Sequence, residues 1–370
     1  MLLRLLIGLG LLLSSAKAFE LSVEVHPQKR LWMDDVDVIV RGAEPGAQVT
    51  VTLALTDDRG QAWSSRGVFF ADLEGDVVLS RDASTEGTYR GVDAHGLFWS
   101  LLPVKVGQIA EVRAEDIDPR APRTPRLSFT GSVDTLIRAE TKQEKSSVAH
   151  NVGFLAPGVH VEEVDEAGLR GQLLTPPGDD PHPVVMIITG SGGGINLRSA
   201  SLLSSQGMTV FALAHFNYPG RPKELVNIPL EYFDSAIKWL VSKTGASKIG
   251  LAGLSRGGEG ALLIASVYPD HIGAVVSGVP SNVVWGGCCT SAAVKQPAWT
   301  LGGQPVTASP YPFEEGKEGF EYLADSVGFR DFYMPGMVAG GDSVQSTIRV
   351  ENIKAPVLLL SGAADLMWPS

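Results

Sequence analysis

Cysteine is nearly absent: the 370-residue chain has two, adjacent at Cys288 and Cys289, too few for a disulfide framework or a four-cysteine metal site. They are expected to be loop thiols that the fold can spare, with a vicinal disulfide or a bond to another chain as alternatives in an oxidising compartment. Long apolar runs are missing after the first twenty residues, so no membrane-spanning helix, which needs about 20 such residues, is expected. Segregated charge is missing too. The net charge is −11 with both signs interspersed, which argues against a polyanion-binding surface and against nucleic acid as a partner. There is no internal repeat and no low-complexity tract.

The leader is the first positive feature. Arg4, an apolar run from Leu5 to Leu13, and Ala16 and Ala18 in an A-x-A arrangement form the pattern of a cleaved secretory signal. Residues 1–18 are expected to be removed near Ala18, leaving an exported protein, secreted or periplasmic, that begins at Phe19.

The length predicts two domains. From Leu21 to about Val104, short alternating segments (LSVEVH, DVDVIVRG, QVTVTLALT, GVFFAD, GDVVLS) are separated by turn sequences, which predicts a β-sandwich. VRAED and PRLSFTGS continue the pattern, and Trp63, Phe98 and Trp99 are expected in the core. A polar, linker-like stretch from Arg138 to His150 places the boundary between domains 19–145 and 146–370. Beyond it VVMIIT, TVFALA, KIGLAG, GAVVSG and APVLLLSG are nearly continuous apolar runs, as strands buried on both faces should be. LEYFDSAIKWLVSK and GGEGALLIASVY repeat apolar residues at three- and four-residue intervals. Together they predict a parallel sheet covered by helices.

The sharpest chemical signal is Gly253-Leu254-Ser255-Arg256-Gly257, between the strand KIGLAG and a helix. A serine on a tight strand-to-helix turn has its hydroxyl held proud of the sheet, which makes Ser255 the candidate nucleophile. The backbone N–H of Arg256, at the start of that helix, is a natural oxyanion donor. A second donor is expected from the glycine loop Gly190–Gly194, with Ser191 and Gly192 as candidates. The loop's alternatives are a plain glycine turn or a phosphate cradle, although no Gly-Lys-Ser/Thr follows to make a Walker site. Asp365, just after APVLLLSG, is the candidate triad acid or else a turn former; Asp342 and Asp331 are its rivals.

As a set, GTYRGVDAHGLFWSLLP, GSGGGINLRSASLL, FALAHFNYPGRPK, LEYFDSAIKWL and GLSRGGEGALLIAS resemble the acyl-CoA thioesterase and bile acid-CoA:amino acid N-acyltransferase family. The resemblance spans nearly the whole chain after the leader. It implies an N-terminal all-β immunoglobulin-like sandwich followed by an α/β-hydrolase domain, acting on acyl-CoA thioesters. It also implies a serine nucleophile in hydrolases and a cysteine in amidating members, so Ser255 places the chain with the hydrolases. The chain departs from the family at Leu197, Arg198 and Ser199, where relatives carry an acidic residue and an arginine. It departs again in its export leader, since the relatives act mostly inside cells.

The family's histidine lies some tens of residues beyond the triad aspartate, whereas this sequence ends at Ser370. The hydrolase domain is therefore expected to be C-terminally incomplete, its base lying past Ser370. Of the seven histidines present, His271 and His182 precede strands and should stand at the opposite sheet edge from Ser255, roughly 15 Å away. His215 follows TVFALA and is expected at the rim of the pocket. His26, His95, His150 and His160 are expected to be solvated or packed.

The expected function is hydrolysis of an acyl-CoA thioester through a serine acyl-enzyme, releasing fatty acid and CoA, with no metal or other cofactor. The alternatives are an exported ester or amide hydrolase and a non-catalytic binding protein on the same fold.

Overall fold

Alternation of polar and apolar residues builds the first of two units, which divide at Gly153/Phe154 in this computed structural model. The structure describes residues 20–104, 125, 127–313, 332–335 and 345–362. In Gln48–Thr56, Val49, Val51, Leu53 and Leu55 are buried while Thr50 and Thr52 are only half-buried. This strand pairs antiparallel with Ala62–Phe70 on one side and Ser132–Glu140 on the other. A second sheet joins Ser22–His26, Asp37–Arg41 and Val77–Val78, also antiparallel. Trp63 and Phe69 fill the core of the unit.

Three expectations are corrected here. The stretch Arg138–His150 is not a linker: Ser132–Glu140 and Lys145–Gly153 form an antiparallel hairpin, which moves the boundary from 145/146 to 153/154. A strand with one face in water alternates polar and small residues, and its composition mimics a linker. Trp99 is not in the core but 62% exposed, at the end of the four-residue helix Gly96–Trp99, whose Leu97 and Phe98 turn inward instead. Its indole donates to Asp93 Oδ2 at 2.8 Å. Within PRLSFTGS only the final Ser132 is in a strand, the preceding described residues being loop and turn. VRAED, like the leader, lies outside the described residues.

The main sheet of the second unit has seven strands among the described residues: β1 (His160–Val164), β2 (Gly171–Thr175), β3 (Val184–Ile188), β4 (Thr209–Leu213), β5 (Ile249–Leu254), β6 (Ile272–Gly278) and β7 (Val357–Leu360). Their order in the sheet is β1-β2-β4-β3-β5-β6-β7. β1 and β2 run antiparallel at one edge; all pairings from β4 to β7 are parallel. The apolar runs seen in the sequence are these parallel strands, and all five residues of β4 are buried. The edge pair β1–β2 is the addition that sequence reading did not anticipate.

Helices α1 (Leu197–Ser205), α2 (Leu230–Thr244) and α3 (Arg256–Val267) cover the sheet. α2 buries Leu230, Phe233, Ala236, Ile237 and Leu240, one stripe at helical spacing, and stops at Gly245, whose φ of 73° is left-handed. α3 differs in kind, being buried on every side from Arg256 to Ser266. This mixed sheet with its covering helices is an α/β-hydrolase architecture. Its central strands β3, β4, β5 and β6 share a direction, so the loops at their carboxyl ends gather on one edge, where such folds place their sites.

Candidate active site

Ser255 stands at that edge, between the end of β5 and the first turn of α3. Its backbone has φ 58° and ψ −124°, a conformation L-residues rarely adopt and which persists where the surroundings over-determine it. The surroundings are explicit. Ser255 N–H donates to Gly278 O at 2.8 Å, tying the turn to the end of β6, and Ser255 O accepts from Glu259 N at 3.0 Å. A methyl group on Gly253 would lie 2.0 Å from Gly257 O, so the first glycine of the motif is required by the closeness of strand and helix. Ser255 itself is half-buried and open to the edge.

The glycine loop after β3 lies against this turn. A methyl on Gly190 would stand 2.8 Å from Leu254 O, 3.4 Å from Ser255 Cβ and 3.7 Å from the Arg256 nitrogen. Only a bare backbone fits there. The N–H groups of Gly193 and Gly194 are spent on Gly190 O (3.1 Å) and Phe216 O (2.9 Å). Among the described residues, those of Ser191 and Gly192 meet no acceptor, and both residues are exposed. Arg256, as the first residue of α3, has an N–H with no partner along the helix. The structure thus brings Ser255, Arg256 and the glycine loop together. Asp365 and its rivals Asp331 and Asp342 lie outside the described residues.

Three groups at the site had not been singled out from sequence. Asn217, in the loop after β4, has φ 49° and donates from Nδ2 to Gly192 O at 2.9 Å, so it braces the glycine loop. The available signal was an asparagine opening the turn NYPG, since Asn tolerates the left-handed region. The side chain of Arg256 and Glu259 form a buried ion pair, Nη1 to Oε2 at 3.2 Å. Its signal was a glutamate inside the apolar helix GGEGALLIAS, where an unpartnered charge would be costly. Burial pushes the Glu259 carboxyl up from its ordinary range, and the Arg256 charge pulls it back.

The histidine expectations divide. His271 precedes β6 and His182 precedes β3, so both stand at the far ends of strands whose carboxyl ends carry the site. His215 is corrected: rather than lining the rim it is fully buried, its ring 5.0 Å from Phe216, 5.4 Å from Phe233 and stacked 5.9 Å over Trp299. Among the described residues neither ring nitrogen has a hydrogen-bond partner. The chain leaving β4 turns this side chain under the loop and into the core. Burial, helped by the Arg221 charge, pushes its pKa down to about 3. The cysteines are corrected as well, because they are joined in a vicinal disulfide and Cys288 is part of the core.

Two predictions follow from this geometry. Gly253→Ala is expected to destabilise the protein by about 1–3 kcal/mol through overpacking, measured by urea denaturation. It should also slow labelling of Ser255 by a fluorophosphonate; wild-type stability and labelling would show that the close approach is not needed. His215 stays neutral in the fold down to about pH 3, whereas in the unfolded chain it protonates below about pH 6.5. Its contribution is therefore unchanged above pH 6.5, and stability is lost as pH falls from there toward 3, by about 2 kcal/mol at pH 5. His215→Phe should shrink the loss between pH 7 and pH 5 by that amount in denaturation curves at the two pH values.

Two family descriptions match the chain. Residues 34–166 match "Acyl-CoA thioester hydrolase/BAAT N-terminal region" and residues 228–370 match "BAAT / Acyl-CoA thioester hydrolase C terminal". Human acyl-coenzyme A thioesterase 1 is 31% identical over 92% of this chain and 75% of its own length. Human mitochondrial acyl-coenzyme A thioesterase 2 is 31% identical over 92% of this chain and 66% of its own. Mouse peroxisomal succinyl-coenzyme A thioesterase is 27% identical over 94% and 78%. The chain thus spans between two thirds and about four fifths of the length of these relatives, and only 55% of mouse mitochondrial acyl-coenzyme A thioesterase 2. With both halves of its sequence matched in order, the chain belongs to the acyl-CoA thioester hydrolase/BAAT family.

Proposed function

We propose that this protein hydrolyses acyl-CoA thioesters through an acyl-enzyme on Ser255. The observation that carries the reading is the contact between the strained Ser255 turn and the glycine loop, which would put a hydroxyl and backbone N–H groups from two loops around one carbonyl. The thioesterase names of its relatives supply the substrate class.

In the first half-reaction Ser255 Oγ adds to the thioester carbonyl carbon and gives its proton to a base. The N–H groups of Arg256 and of Ser191 or Gly192 hold the oxyanion. The C–S bond then breaks, and the thiol leaves with the proton. In the second half water adds to the acyl-serine, releasing the carboxylic acid and restoring the hydroxyl. We assign the base to a group outside the described residues, with Asp365 as the acid that orients it. His215, boxed in rings and held neutral, is unsuited to that role. The chemistry as drawn requires no cofactor.

Two further readings accompany this one. The paired antiparallel sheets of the first unit support an immunoglobulin-like sandwich, which an experimental structure with those strands in a single sheet would exclude. The leader pattern supports export after cleavage near Ala18. Mass spectrometry of the protein from its native cell should find a mature N-terminus at Phe19; an intact Met1 in the cytosolic fraction would reject export.

Ser255→Ala is expected to lower kcat/KM on medium-chain acyl-CoA by about three to six orders of magnitude and to abolish fluorophosphonate labelling. Matched oxygen esters should turn over more slowly than the thioesters. Wild-type protein that hydrolyses neither substrate, with Ser255 unlabelled, would end the enzymatic reading; a preference for oxygen esters would move it to an ester hydrolase.

A further inference from the structure

Directly behind the Ser255 turn, α3 carries two opposite charges that do not reach solvent. Arg256 is 2% exposed and Glu259 is fully buried. Beyond their mutual contact, both side chains reach for the loop that follows β6. Arg256 Nη2 donates to Trp285 O at 3.1 Å and Gly286 O at 2.9 Å, and Nη1 donates to the Tyr311 hydroxyl at 3.3 Å. Glu259 Oε1 accepts from Trp285 N at 3.2 Å and Trp299 Nε1 at 3.3 Å. The pair therefore grips both the N–H and the C=O of Trp285, from residues one turn apart on the helix.

Stability alone is a poor reason for such a pair, because apolar residues of similar volume often serve as well or better in a core. Direction is what the charges supply. A guanidinium is a rigid planar fork, and its donors here meet two carbonyls and a hydroxyl at once. Arg256 is also the residue whose backbone N–H the proposed mechanism assigns to the oxyanion. Rotating the Ser255–Arg256 peptide would swing the guanidinium off the loop that Glu259 holds from the other side. Ser255 needs this kind of bracing, since its backbone conformation is not one it would adopt unaided.

We propose that the buried Arg256–Glu259 pair is a positioning element for the Ser255 site, fixing the aim of the Arg256 N–H through the loop at Trp285 and Gly286. The pair acts on the rate of acyl-enzyme formation, not on substrate affinity. This rests on the reading of Ser255 as nucleophile.

The test compares the full chain with R256M/E259M, E259Q and R256K. The readouts are kcat and KM on a medium-chain acyl-CoA, the rate of Ser255 labelling by a fluorophosphonate, and the circular-dichroism melt. The double variant leaves neither charge unpaired, so it is expected to fold. In the double variant and E259Q, kcat and labelling rate should fall about 10- to 100-fold with KM within about threefold of wild type. R256K, which keeps the charge and loses the fork, should fall between them and wild type. Unchanged kcat and labelling in folded variants, or a raised KM with kcat intact, would overturn the proposal. So would loss of folding in all three, because the pair would then be structural. Wild-type protein that labels at Ser255 without turning over thioesters would remove the thioester reading alone, since labelling rates still report on the pair. An unlabelled wild-type Ser255 would remove both.

Discussion

The close approach of two backbones, the glycine loop after β3 and the turn after β5, is the constraint on which the rest of this site depends. β3 and β5 are hydrogen-bonded neighbours, with Ile188 opposite Gly253, so the loops that leave them must meet. At Gly190 and Gly257 they meet without room for a methyl group. A serine forced into the left-handed region at that junction stands at the sheet edge, while the first N–H of α3 has no partner along its helix and, among the described residues, those of Ser191 and Gly192 meet no acceptor. The sheet order is what converts two separate glycine-rich stretches of sequence into one concave set of donors.

Such a turn is strained, and strain persists only where neighbours hold it. Here the neighbours are polar although the unit is apolar. Ser255 N–H is tied to β6, Asn217 braces the loop, and the Arg256–Glu259 pair joins α3 to Trp285. Each is directional, and together they fix orientations that hydrophobic packing would leave free. The apolar stripe of α2 holds helix to sheet; the polar contacts around α3 hold individual peptides. Stability and geometry are supplied by different residues of the same unit.

How much was legible in the sequence follows from the same division. Periodicity is a property of neighbouring residues, so the parallel strands, α2 and α3 could be read directly, as could the serine turn between KIGLAG and its helix. The hairpin Ser132–Gly153 was hidden because a solvent-facing strand has the composition of a linker. The pair β1–β2 was missed because two five-residue edge strands give little periodic signal. Trp99 and His215 were misplaced for one reason seen from two sides: side-chain direction at the end of a short helix or strand is set by the local turn. An aromatic was turned outward and a titratable ring inward.

His215 also bears on what a base at this site would require. Standing at the correct edge of the sheet is not enough, because a general base must be wet or partnered so that it can carry charge when it accepts the Ser255 proton. Among the described residues no group hydrogen-bonds the ring nitrogens of His215, and the rings of Phe216, Phe233 and Trp299 pack against it. Trp299 in turn gives its indole N–H to Glu259, so the box around the histidine and the ion pair behind Ser255 share a wall. A charge on His215 would have to form inside that core and beside the Arg221 charge, and both keep the ring neutral. The region behind the serine is therefore fitted to hold peptides still, and on the proposed mechanism a base would have to stand on the open side of the sheet edge, where Ser191 and Gly192 are exposed.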